Sequence, residues 1–84
     1  MPSDISVNPS TNVIYVANTT VFSSSNGTVP VIDGKTNTLV ADVKVGGNPT
    51  NISVNPSTNM IYITASNGLP VIDGKPNTVT ANIK

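Results

Sequence analysis

Residues 5–16, ISVNPSTNVIYV, return at 52–63 as ISVNPSTNMIYI, and VPVIDGKTNTLVADVK at 29–44 returns at 69–84 as LPVIDGKPNTVTANIK. One supersecondary unit is therefore written twice. A unit this short cannot bury both of its own faces and has to stack on neighbours. The first pair of blocks is offset by 47 residues and the second by 40, and the seven-residue difference falls between the blocks. There the first unit has ANTTVFSSSNGT at 17–28 and the second only TASNG at 64–68. The longer version is polar and rich in Ser and Thr, which predicts a surface loop or an extended hairpin tip. The chain thus divides into a first unit with its linker, 1–47, and a second unit, 48–84.

Each unit reads as four short strands rich in Val, Ile, Thr and Tyr. These are 4–7, 13–17, 28–33 and 38–44 in the first unit, and 51–54, 60–65, 69–73 and 78–84 in the second. Asn8-Pro9-Ser10-Thr11-Asn12 and Asn55-Pro56-Ser57-Thr58-Asn59 place Pro where its fixed φ suits a type I turn, with the closing Asn free to turn left-handed. Asn67-Gly68 is a two-residue type I′ hairpin signal. Gly34 and Gly74, after Asp33 and Asp73, are expected to supply positive φ. Pro, Gly and β-branched residues interrupt every window that would carry a helix.

The second strand decides how the sheets are used. Ile14 and Val16 face one side, and Val13, Tyr15 and Ala17 the other; unit two repeats this with Ile61 and Ile63 against Met60 and Tyr62. A sheet wet on one face would alternate apolar with polar. Both faces therefore need cover, and Ile14, Tyr15, Val16, Ile61, Tyr62 and Ile63 are the expected packing residues between stacked sheets.

Composition removes several functions. The 84 residues contain no Cys, His, Glu, Arg, Gln or Trp, and four Lys balance four Asp to a net charge of zero. No disulfide or thiolate chemistry is available. Neither a basic stripe nor a set of aromatic platforms for nucleic acid is present. No basic amphipathic segment fits a membrane surface, and no apolar run approaches bilayer length, so membrane insertion is not expected. Met1-Pro2-Ser3-Asp4 has neither the basic start nor the apolar core of a signal peptide. Asn, Ser and Thr supply 32 of the 84 residues. Such a neutral surface resists self-association poorly, which suits an assembly or a coat of sugar.

On these residues the units resemble the YVTN-type β-propeller repeat family of surface-layer and other extracellular proteins. Tyr15-Val16-Ala17-Asn18 fits the signature, Tyr62-Ile63-Thr64-Ala65 departs at its last position, and NPSTN, VIDGK-x-NT and VGGNPT (45–50) also look like this family. The resemblance covers essentially the whole chain. It implies an all-β fold of two four-stranded antiparallel blades round a central channel, and an extracellular or cell-surface setting. Closed propellers typically need about four to eight blades. Met1-Pro2-Ser3-Asp4 aligns with Asn48-Pro49-Thr50-Asn51, which places the cut inside the linker between blades. The expectation is a fragment of a longer propeller or a protomer completed by copies of itself. The repeated contact is heterologous, so it closes into a ring or runs on as a filament. A ring of identical two-blade chains has an even number of blades: four, six or eight.

Three glycan acceptor patterns occur, at Asn18, Asn26 and Asn51. A chain so rich in Asn, Ser and Thr produces such patterns by chance. Those at Asn18 and Asn26 flank the polar insertion and suit a glycan, if the protein is exported, better than Asn51, which begins an inner strand. Asp33 and Asp73 read as turn residues whose carboxylates accept backbone N–H bonds, in preference to a ring of acids for Ca²⁺ or acid–base work, because Gly follows both and no second acid is near. Phe22 suits equally an anchor for its loop and a dock onto a neighbouring protomer. Ser23-Ser24-Ser25 has no base to activate it, and Gly46-Gly47 precedes no helix that would hold phosphate.

These residues lead to a non-enzymatic module without cofactor or metal, whose blades stack between copies into an extracellular ring or fibre, with glycans as further partners. Two alternatives stand beside it. One is an excised piece of a larger propeller enzyme, whose His, Glu and Arg would lie elsewhere. The other is a propeller that binds carbohydrate or protein through its channel or loops.

Overall fold

The computed structural model describes residues 2–18, 27–45, 47–66 and 68–83. Phe22, Asn26, Gly46, Asn67 and most of the polar insertion, with the roles expected of them, lie outside the described residues. The elements are β1 Pro2–Asn8, β2 Val13–Asn18, β3 Thr28–Asp33, β4 Thr38–Lys44, β5 Pro49–Asn55, β6 Met60–Ala65, β7 Leu69–Asp73 and β8 Thr78–Ile83. They form two four-stranded antiparallel sheets, β1-β2-β3-β4 and β5-β6-β7-β8, with no helix among the described residues. Register repeats with sequence: Ile5 faces Val16 as Ile52 faces Ile63, and Val31 faces Ala41 as Val71 faces Ala81. β1 lies along β5, whereas β4 and β8 barely meet, so the sheets fan outward from their first strands. This is the arrangement of two propeller blades.

Four of the hairpins share one loop chemistry. The loops 9–12, 34–37, 56–59 and 74–77 each follow an Asn or Asp and end on an Asn. The leading side chain accepts the backbone N–H two residues on: Asn8 from Ser10 at 3.0 Å, Asp33 from Lys35 at 2.9 Å, Asn55 from Ser57 at 3.1 Å and Asp73 from Lys75 at 3.0 Å. The closing Asn12, Asn37, Asn59 and Asn77 are left-handed, with φ between 57° and 59°. Asn tolerates this region better than other side chains.

The structure departs from the sequence reading at several backbone positions. Gly34 and Gly74 do not have positive φ; Asn37 and Asn77 carry the left-handed turn instead. Glycine is needed for close approach: the Gly34 N–H donates to the Asn12 carbonyl at 2.8 Å, and a Cβ there would stand 2.7 Å from that oxygen. Gly74 does the same against Asn59, its N–H donating at 2.9 Å. The β6–β7 hairpin is shifted by one residue, because Gly68 bridges Ala65 and is not central in the turn. Its φ of 149° still favours glycine. β1 and β5 begin earlier than expected, at Pro2 and Pro49, each followed by a register shift. An edge strand tolerates Pro at its first residue, where no ladder N–H is required.

The core lies between the sheets. Tyr15, Ala17, Val29, Val31 and Val43 of the first blade form one buried cluster with Ile52, Ile61, Ile63 and Ile72 of the second, closed by Val45 of the linker. The radius of gyration is 11.5 Å, close to the roughly 12 Å expected of a compact domain of this length.

Candidate functional site

The surface with the most chemical content is the pair of blade faces that point away from the shared core. In the first blade, Tyr15, Ala17 and Val29 face the core, so Ile5, Val7, Ile14, Val16 and Ile32 form the opposite, open face. In the second blade the roles are exchanged. Ile52, Val54, Ile61, Ile63 and Ile72 turn inward, and Met60, Tyr62, Thr64 and Leu69 form the open face. The open face of each blade is thus the register counterpart of the covered face of the other. Ile5 is 62% exposed where Ile52 is 8%, and Tyr62 is 39% exposed where Tyr15 is 1%.

Two polar contacts fasten the covered joint. The Asp4 carboxylate accepts the Ile52 N–H at 2.8 Å, and Asn8 Nδ2 donates to Asn59 Oδ1 at 2.9 Å. Asn8 is fully buried, and its own Oδ1 is committed to the Ser10 N–H, so its amide is held with the donor toward the second blade. Neither role stands out from the sequence, where Asp4 begins a strand and Asn8 opens a turn. The alignment of Asp4 with Asn51 and of Asn8 with Asn55 was legible there. Which copy becomes buried was not, because the two blocks are nearly identical.

The sequence-derived candidates are divided by this geometry. Tyr15, Ile61 and Ile63 lie in the core between blades, whereas Ile14, Val16 and Tyr62 lie on the open faces. Burial raises the Tyr15 phenol above its ordinary value of 10.0, because the phenolate would lose its hydration. Asp33 and Asp73 sit at the tips of separate hairpins, each carboxylate accepting a Lys N–H of its own loop. Among the described residues, no three His, Cys, Asp or Glu gather where they would hold a metal. Asn18 ends β2 half-buried, and Asn51 is exposed on β5. A cavity of about 180 Å³ opens on the second blade, walled by Asn51, Ser53, Tyr62, Thr64 and Leu69, with Asp4 across the joint.

No protein-family model matches the chain, and no curated protein is similar enough to match it. Among solved structures, the fold is similar to the Kuenenia stuttgartiensis hydrazine synthase, with a TM-score of 0.83 and 24% sequence identity. The match covers 98% of this chain and 23% of that one. At this identity the likeness is one of fold, and the chain spans under a quarter of its neighbour.

Proposed function

We propose that the chain is a non-enzymatic structural module, a pair of YVTN-like blades that stacks through its open faces on further copies to build a ring or fibre. The exchange of roles between faces carries this reading: each open face is the position-for-position counterpart of a face that already makes a blade-to-blade joint, with Ile5, Val7, Ile14, Ile32 and Tyr62 repeating the covered residue. The neutral, Asn/Ser/Thr-rich surface supports the same reading, since charge repulsion does not oppose association. The reading extends to an extracellular or cell-surface setting, with glycans at Asn18 or Asn26. Val7→Asp, on the open face, tests it. The variant is expected to keep the parent's β-sheet circular dichroism and to lose its higher native mass in light scattering. An unchanged mass would contradict stacking through this face.

The coverage of the hydrazine synthase chain favours a second reading. In it, the two blades belong to a larger propeller within one longer polypeptide, and the open faces receive blades of that same chain. Any reaction would then rest on residues elsewhere, because His, Glu and Arg are absent here. A reading frame with further repeats around these two would favour it, and a frame that ends with them would count against it.

A further inference from the structure

The cavity on the second blade has a counterpart in the first that is not a cavity. Asn51, Ser53, Tyr62 and Thr64 stand where the first repeat has Asp4, Ser6, Tyr15 and Ala17. In the first blade, Tyr15 and Ala17 are buried in one cluster with Ile52, Ile61 and Ile63, while Asp4 holds the Ile52 N–H. The counterpart of Ile52 is Ile5, which is exposed on the open face of the first blade. It occupies in β1 the register position that Ile52 occupies in β5, so its N–H faces the same strand edge.

We propose that the cavity is a socket for the β1 edge of a second copy of this chain, with a defined set of contacts. The Ile5 side chain of the incoming copy enters between Tyr62 and Thr64. Asn51 Oδ1 accepts the incoming Ile5 N–H, as Asp4 accepts that of Ile52. Asn55 Nδ2 donates to the incoming Asn12 Oδ1, as Asn8 Nδ2 donates to Asn59. Asn55 is already set for this, because its Oδ1 is taken by the Ser57 N–H at 3.1 Å, as that of Asn8 is taken by Ser10. The joint between copies is therefore head-to-tail, and it differs from the joint within a chain in using a neutral amide where the chain uses a carboxylate. A glycan on Asn51 would fill the socket, so this acceptor pattern is incompatible with the assembly.

The inference rests on the stacking of blades between copies, and the test separates the two. Ile5→Arg blocks the inserting edge and Tyr62→Arg blocks the socket. Each variant alone is expected to be monomeric in light scattering with unchanged circular dichroism. Mixed in equal amounts they should form heterodimers and nothing larger, since one intact edge and one intact socket remain. Asn51→Ala should weaken association of the otherwise unmodified chain by about fivefold to tenfold, the loss of one hydrogen bond. Asn51→Asp should restore or tighten it through a charge-assisted bond. If the unmodified chain associates and both arginine variants still associate alone, the socket is wrong while stacking by another surface stands. If the arginine variants are monomeric alone and fail to pair when mixed, the head-to-tail joint is wrong. A monomeric unmodified chain overturns the stacking on which the inference depends.

Discussion

Asn8 shows how one side chain decides the joint between blades. Buried and hydrogen-bonded at both ends of its amide, it presents a donor to Asn59 that no carboxylate can supply. Asn8→Asp should therefore cost about 1–3 kcal/mol in denaturant unfolding at neutral pH. The cost should shrink as pH falls toward about 4, where the carboxyl regains a proton to donate. Gly74 is bound by a different constraint. Its Cβ would run into the Asn59 side chain and carbonyl, so Gly74→Ala should destabilise by about 1–3 kcal/mol despite an ordinary φ. Tyr15 sets an alkaline limit. Its phenol is raised by burial, so above its ordinary value of 10.0 the unfolded chain ionises while the folded chain holds its proton. Stability then falls as pH rises past that point. Thermal melts between neutral pH and about pH 11 should show the fall, and Tyr15→Phe should reduce it.

At the level of strands and loops, much was legible because the repeat states the pattern twice. The bounds of β3, β4 and β7 coincide with those expected from the sequence, and β3 and β7 end at the punctuation read from Asp33-Gly34 and Asp73-Gly74. The left-handed Asn12 and Asn59 follow from Asn-Pro-Ser-Thr-Asn. The equivalent role of Asn37 and Asn77 was hidden by Gly34 and Gly74, three residues earlier, which invite a positive φ and instead serve a close contact. The skipped residues Val40 and Thr80, opposite β3 and β7, leave no mark in an alternating apolar pattern. For the candidate site, the apolar faces were legible from strand alternation. Which of them closes within the chain depends on the three-dimensional fan of the sheets. Ile61, fully buried, belongs to the closed joint. Ile61→Asp is accordingly expected to abolish the cooperative thermal transition by burying an unpaired charge. A folded Ile61→Asp variant would contradict the core assignment.

For the whole molecule, one inter-blade joint suffices to make a compact unit, and the remaining faces are a separate matter. They repeat the composition of the covered faces, and they expose Ile5, Val7, Tyr62 and Ile83 where their counterparts Ile52, Val54, Tyr15 and Val43 are wholly or partly buried. Apolar patches of this kind mark interaction surfaces in soluble proteins. Because the faces are complementary and not identical, one contact generates either a closed ring with an even number of blades or an open stack. The most direct test is the native mass of the unmodified chain, followed by light scattering over a range of concentrations. Stacking predicts discrete particles of two, three or four chains, or a polymer that grows with concentration. A single-chain mass at every concentration would contradict it.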